Sequence, residues 1–164
     1  MKKNKTVPNA LVGIAGVHYV AAELSRRGLI ALPTIRNTAA YDIIVATQDG
    51  RKHANIQVKT SQKRVNFWPM PPSDRVCAKP KDYYVLVRWL PKEKKFEGFM
   101  LTGSEAKAEV RDAEDRQRRR IRGTSRHVVF PAIHVGGKWE KVGNRWKRNW
   151  ETWNLVGADR GKLN

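Results

Sequence analysis

The stretch AYDIIVATQDGRKHANIQVKT, residues 40–60, decides the fold of this chain. Two apolar, β-rich runs flank a Gln-Asp-Gly turn, which predicts an antiparallel hairpin. Side chains alternate along a strand, so Gln57 and Lys59 point to one face of the second strand. Pairing through the turn brings Asp42 to the same end of the ladder. A carboxylate, an amide and an ammonium group are therefore expected to lie close together.

The sequence before the hairpin predicts a helix and a strand. The helix begins near Pro8 and ends at Gly28, and the stretch LIALPTIR that follows has the composition of a strand. Apolar residues at helical spacing predict the core face of the helix. They are Leu11, Ile14, Val17, Ala21 and Leu24.

The sequence after the hairpin predicts a proline-containing loop over residues 61–81, strands over 82–90 and 96–101, and a charged helix from Ser104 to about Arg120. Thr102 or Ser104 is the expected helix cap. A short strand at 128–130 and a final helix follow. That helix carries Trp146, Trp150 and Trp153, which are expected to be core anchors.

The order of elements is thus α-β-β-β-loop-β-β-α-(β)-α, which predicts the α/β class: a single domain with a mixed central β-sheet flanked by helices. The domain is expected to span residues 1–164, with a core at about 9–122. A Trp-rich helical extension is expected at about 138–156.

Composition restricts the class of protein and its partners. Lys and Arg number 33 against 15 Asp and Glu, giving a formal net charge of +18, so the expected partner is a polyanion. A membrane span is not expected, because the chain has no apolar run of about 18 residues. Cys77 is the single cysteine, which excludes an internal disulfide framework and favours a reducing cytoplasm.

Asp42, Gln57 and Lys59 suggest hydrolytic chemistry at a metal. A carboxylate with neighbouring neutral oxygens suits Mg²⁺, and a nearby Lys can orient an attacking water or stabilise charge on a phosphate. The structural alternatives are that Asp42 is a strand-end residue bonded to backbone amides, and that Gln57 and Lys59 form the solvent face of an edge strand.

The helix GIAGVHYVAAELSRRG, the strand AYDIIV and the strand IQVKT, in this order, resemble the PD-(D/E)xK restriction-endonuclease-like nuclease superfamily. The closest likeness is to small resolvase-like and Mrr-type members, some of which carry Gln-x-Lys. The resemblance covers residues 13–60, about a third of the chain, and it implies a core with the order α-β-β-β-α-β.

The resemblance also implies a function: a Mg²⁺-dependent DNA endonuclease, with Mn²⁺ as a possible substitute. Asp42 would bind the metal, Gln57 would occupy the second ligand position with help from the Val58 carbonyl, and Lys59 would serve the attacking water. The implied partner is duplex or branched DNA, and the implied state is a homodimer.

One departure from the family pattern concerns the helix. Related helices often carry a Glu after the Gly, where this chain has Val17; Glu23 lies nearer the exposed face, and His18 lies close in azimuth to Val17. A catalytically weakened or inactive nuclease-fold module that binds DNA is therefore an alternative function. A basic RNA-binding protein, suggested by charge and size, is another.

Basic residues on either side of the predicted site are expected to contact the phosphate backbone. No acid lies between Gly50 and Ser73, and Phe67 and Trp68 in this stretch are expected either to stack on a base or to close over the core. The predicted DNA contacts are Arg36, Asn37, Lys63, Arg64, Arg118, Arg119, Arg120 and Arg122.

Overall fold

A computed structural model describes residues 7–35, 41–62, 65–122 and 129–152. It contains three helices and seven strands in those ranges, with short 3₁₀ helices at Ser73–Arg75 and Gly137–Trp139. In chain order the elements are α1 (Asn9–Arg26), β1 (Ile30–Pro33), β2 (Ile43–Ala46), β3 (His53–Ser61), β4 (Phe67–Pro69), β5 (Asp82–Leu90), β6 (Lys95–Thr102), α2 (Gly103–Ile121), β7 (Ala132–His134) and α3 (Glu140–Thr152).

Five strands form one mixed sheet in the order β1-β2-β3-β5-β6, and β4 pairs with β7 in a second, two-stranded sheet. The predicted hairpin is present: β2 and β3 are antiparallel, with Ile43 opposite Ile56, and Gly50 in the turn has a positive φ of 69°. β3 and β5 run parallel, whereas the other neighbours are antiparallel. The predicted fold class, a mixed sheet flanked by helices, is confirmed.

The family core order α-β-β-β-α-β is wrong in one place. The connection between the parallel strands β3 and β5 carries β4 and a 3₁₀ turn, and the next helix, α2, comes only after β6. Four prolines in this connection prevent a helix of useful length, because proline lacks an amide hydrogen and clashes with the preceding turn.

The short strand predicted at 128–130 lies later in the chain, at β7. Val128 is outside the described residues, and Val129 and Phe130 are not in a strand. The pairing instead begins beyond Pro131, which has no amide hydrogen to donate, although its carbonyl accepts a bond from the Met70 amide at 2.9 Å.

The central sheet packs against other elements on both faces. One face packs against α1 and the Trp150 side chain of α3, and the other face packs against α2, the β4–β7 sheet and Trp146. Leu32 of β1 and Ile44 of β2 stay exposed on this second face. Trp146 and Trp150 are buried, as predicted for core anchors, and Trp153 lies outside the described residues. The division into a core and a C-terminal extension stays a prediction.

The ends of the helices follow the sequence signals. Thr102 caps α2 in a capping box with Glu105, as predicted. α1 ends in a Schellman arrangement, in which Gly28 has φ +82° and the Leu29 amide donates to the Leu24 carbonyl at 3.1 Å. Within the described residues, no helix is long and apolar enough to cross a membrane.

The predicted core face of α1 is wrong at its N-terminal end. Leu11 and Ile14 are exposed, and the buried line instead runs through Val12, Gly16 and Val20. The cause is the close approach of α1 to β3: a Cβ atom on Gly16 would lie 2.8 Å from the Cβ of Thr60. The smallest residue of the helix, and not its largest apolar residues, therefore sets which side faces the sheet.

We expect Gly16→Ala to lower the free energy of unfolding by about 1–3 kcal/mol, because the added methyl group forces α1 away from β3. Gly13→Ala is the matched control, since nothing lies within 4 Å of its added Cβ. The control should leave stability unchanged or raise it by up to about 1 kcal/mol through helix propensity. Urea denaturation measures both; equal effects of the two substitutions would contradict the packing argument.

Candidate active site

Asp42 occupies the last position before β2, between two neighbouring strands. Its amide donates to the Ile56 carbonyl at 2.8 Å, and its carbonyl accepts from the Thr34 amide at 2.9 Å. Extending the β2–β3 register by one residue places Asp42 opposite Gln57. The backbone therefore holds Asp42 against the strand that carries Gln57 and Lys59, as the sequence predicted.

One oxygen of the Asp42 carboxylate completes the edge of β3. Oδ2 accepts hydrogen bonds from Gln57 Nε2 at 2.5 Å and from the Val58 amide at 2.7 Å. The Val58 amide lies beyond the point where β2 pairing stops, so the carboxylate takes the place of a missing strand. The other oxygen, Oδ1, accepts no hydrogen bond from any residue in the described ranges.

Burial raises the pKa of Asp42, and the Val58 amide and the positive charge of Lys59 act in the opposite direction. Lys59 is thus close enough to favour the charged carboxylate. Among the described residues it forms no ion pair or hydrogen bond through its side chain. A partly buried ammonium group near a partly buried carboxylate is a suitable arrangement for holding a further anion.

A cleft of about 580 Å³ opens beside Asp42, between the first half of α1 and the ends of β1, β2 and β3. Val17, the position singled out in the sequence, lines this cleft together with Asp42. His18 also lines it, whereas Glu23 lies elsewhere and pairs with Arg26 and Arg27. The complete lining is Asn9, Ala10, Gly13, Ile14, Val17, His18, Pro33, Thr34, Ile35, Asp42, Gln57 and Val58.

The donor set fits a hard divalent cation that keeps most of its water. Asp42 offers a carboxylate oxygen, and Gln57 offers an amide oxygen. The N–H and C=O groups of a strand residue point to the same edge, so the Val58 carbonyl faces the Asp42 side with its amide. Mg²⁺ is commonly bound by one or two carboxylates with waters and substrate phosphates. The described residues contain no cluster of three or more His, Cys, Asp or Glu side chains that could hold a metal without such help.

Sequence reasoning missed Thr34, which lines the cleft and supports the Asp42 backbone. Its hydroxyl donates to the Tyr41 carbonyl at 2.7 Å, in addition to the amide contact with Asp42. Antiparallel pairing of β1 and β2 sets Pro33 opposite Ile43, and so brings Thr34 next to Asp42. The signal was the register of the β1–β2 pair, and the residues that connect these strands, 36–40, lie outside the described residues.

The predicted DNA contacts divide into two groups. Arg36, Asn37, Lys63 and Arg64 lie outside the described residues. Arg118, Arg119, Arg120 and Arg122 are exposed at the C-terminal end of α2. Arg116, which precedes them, pairs with Asp112 one turn earlier. Trp68 is buried and only its neighbour Phe67 is exposed.

The raised pKa of Asp42 predicts a pH dependence of stability. The folded chain binds this proton more tightly than the unfolded chain, so the associated stability is present at low pH and is lost as the pH rises through the raised pKa. We expect the unfolding free energy of the protein, relative to Asp42→Asn, to fall with rising pH and then level off. Urea denaturation without divalent metal, from about pH 3.5 to 7.5, measures it.

A relative stability that grows with pH would contradict this expectation. It would mean that the bonds from Val58 and Gln57 outweigh burial, and that Asp42 is a strand-end cap whose charged form stabilises the fold. Because every other carboxyl group is common to both proteins, the difference isolates the titration of Asp42.

No protein-family model and no curated protein matches this chain. Among solved structures, the chain is similar to Hjc of Archaeoglobus fulgidus, a Holliday junction resolvase from an archaeal hyperthermophile, with 12% sequence identity and a TM-score of 0.44. The similarity covers 74% of this chain and 88% of that chain. At this low identity and TM-score, the roles of individual residues depend on the geometry of the chain itself.

Proposed function

We propose that this protein is a metal-dependent DNA endonuclease that hydrolyses phosphodiester bonds at the cleft beside Asp42. The observation that carries the proposal is the Asp42 carboxylate: one oxygen is held by Gln57 and Val58, and the other has no partner among the described residues. A partly buried carboxylate with one oxygen bonded to the strand edge and the other open, in a cleft and near a Lys, is suited to binding a cation.

In this proposal one set of residues binds the metal and another residue acts on the phosphate. Asp42 in its charged form, the Gln57 amide oxygen and the Val58 carbonyl would hold Mg²⁺, or Mn²⁺ in its place. A metal held by these residues would supply an activated water and would neutralise charge on the scissile phosphate. Lys59 would orient the attacking water and stabilise the negative charge that develops on the phosphate. The positive chain attracts the DNA backbone.

A second candidate function is a nuclease-fold module that binds DNA without cutting it. Two observations favour it. Val17 presents an apolar side chain to the cleft where an acid would add a ligand, and the Gln57 amide already bonds to Asp42 without a metal. This candidate shares the fold and the charged surface with the first, so only a cleavage assay separates them.

We expect Asp42→Asn and Lys59→Ala each to reduce DNA cleavage by about 100-fold or more, because both remove groups that act on the reacting phosphate. DNA binding in the absence of metal should change less than about threefold, since each substitution alters only one of many charges. Cleavage of linear, nicked and branched DNA with Mg²⁺ and Mn²⁺ is the measurement.

Asp74→Asn and Lys92→Ala are the matched controls, because both side chains are exposed and distant in sequence from the cleft. Wild-type cleavage by Asp42→Asn and Lys59→Ala would overturn the site assignment. Metal-independent binding with no cleavage of any substrate would favour the silent module. A clear preference for structured RNA over duplex DNA in competition would favour the RNA-binding alternative.

Two further features belong to the proposal by family resemblance and composition. A homodimer would present two such sites to two DNA strands, and light scattering in solution measures the mass that decides it. A cytoplasmic location fits a chain whose single thiol, Cys77, has no second cysteine to pair with.

Adding an acid at the cleft should strengthen metal binding. We expect Gln57→Glu and Val17→Glu each to tighten Mg²⁺ binding by at least about tenfold, because a second carboxylate adds charge to the ligand set. Without metal, Gln57→Glu should lower stability by about 1–3 kcal/mol, since it replaces a donor to Asp42 with a like charge. Isothermal titration with Mg²⁺ and urea denaturation measure the two effects.

Gln at position 17 is the neutral control, because Val17→Gln matches the size of Val17→Glu without the charge. Equal Mg²⁺ affinity of the Glu and Gln variants at this position would show that the α1 wall of the cleft does not reach the metal. It would leave Asp42 as the sole carboxylate able to serve the site among the described residues.

A further inference from the structure

Three aromatic rings form a row on the outer face of the small β4–β7 sheet. Phe67 lies opposite His134, with ring centroids 5.8 Å apart, and His134 stacks on Trp139 with a centroid distance of 4.4 Å and an interplanar angle of 17°. Strand alternation turns the neighbouring pair, Trp68 and Ile133, inward, where both are buried. We call Phe67, His134 and Trp139 the aromatic row.

The aromatic row is accessible to solvent, and the neighbouring residue Trp68, not Phe67, packs into the core. Phe67 is 47% exposed, whereas Trp68 is 2% exposed and donates its indole N–H to the Val87 carbonyl at 3.1 Å. The small sheet is thus anchored through its inner face, and the outer rings are not needed to close the core. An exposed ring continuous with two partly exposed rings is a surface for stacking.

Two cations lie over the Trp139 ring, at one end of the aromatic row. The Arg116 guanidinium lies 5.4 Å from the Trp139 ring centroid, and the Lys138 ammonium lies 4.4 Å from it. Arg116 also pairs with Asp112. Burial, together with the charges of Arg116 and Lys138, lowers the pKa of His134, so this ring is neutral at pH 7. Phe67, tilted by 34° from His134, is the exposed ring on which a base can stack, and the cations at the Trp139 end suit the phosphates of the same polymer.

The small β4–β7 sheet packs on the face of the central sheet toward which the Gln57 and Lys59 side chains point. Gln57 and Lys59 pair with Tyr84 and Leu86 in β5, and these two β5 side chains belong to the core that Trp68 completes. β4 also contacts β3 directly.

We infer that the aromatic row is a stacking platform for unpaired bases, with Arg116 and Lys138 placed to meet the flanking phosphates. The inference rests on the proposed function for the identity of the polymer, and it adds the part of the substrate that is recognised: a strand with exposed bases. A fully paired duplex hides its base faces and would engage only the cations.

The test compares two oligonucleotides of equal length and charge in EDTA: oligothymidylate, and a strand in which abasic sites replace the bases. Fluorescence anisotropy measures both affinities. We expect the protein to bind the base-bearing strand at least about fivefold more tightly, because each stacked base adds affinity that phosphates alone cannot supply. Equal affinities for the two strands would overturn the proposal.

Variants of Phe67 identify the surface. Phe67→Leu should reduce the ratio of the two affinities to near one while leaving the abasic strand unaffected, and Phe67→Trp should retain the ratio. Phe130→Leu is the matched control, since Phe130 is a 76% exposed aromatic residue outside the row. Unchanged binding by Phe67→Leu, or an equal loss in Phe130→Leu, would overturn the assignment; thermal unfolding monitored by circular dichroism confirms that each variant is folded.

These experiments distinguish a failure of the proposed function from a failure of the proposed stacking platform. The affinity ratio is measured without metal, so it survives in Asp42→Asn even if that variant cuts no DNA. Conversely, loss of the ratio in Phe67→Leu with normal cleavage of duplex DNA would remove the platform and leave the active site as proposed.

Discussion

The end of the pairing between β2 and β3 is the constraint on which the site depends. The ladder stops at Ile43 and Ile56, while β3 continues to Ser61, and within the described residues no strand pairs with that edge of β3 beyond Ile56. A bare strand edge in a partly buried place leaves amides without partners, which is costly. Asp42 resolves this for Val58 with one oxygen. The early end of β2 therefore leaves the cleft open beside β3 and also places the Asp42 carboxylate in that cleft.

Using a carboxylate for this purpose has an electrostatic consequence. Burial raises the pKa of Asp42 although an amide and a Lys act to lower it, so the metal-free site holds its negative charge at a cost. A divalent cation at the open oxygen would offset that cost. Gln57 also lowers the free-energy cost of the buried charge, because its amide donates a hydrogen bond to Asp42, whereas a charged Glu would repel it.

The sequence predicted those parts of the fold that local patterns specify. The turn at residues 48–50 sets the hairpin register, and this register is enough to bring Asp42 to Gln57. The face of α1 could not be predicted in this way, because the contact of Gly16 with Thr60 depends on tertiary packing and overrides the larger apolar residues. Thr34 was missed for a related reason: it reaches Asp42 through the pairing of β1 with β2. The aromatic row could not be predicted either, because Phe67 and His134 come together only through the pairing of β4 with β7, which are distant in sequence.

β3 links these features because its two faces serve different purposes. Ile56 and Val58 face the core beneath α1, and they hold the strand in place. Gln57 and Lys59 face the other way, toward the side on which the β4–β7 sheet is anchored by Trp68. The proline-containing connection between β3 and β5 carries β4 to that side. The sheet that β4 forms with β7 places the exposed ring of Phe67 and its neighbouring cations beside the central sheet, and these are the groups that the proposed platform for unpaired bases uses.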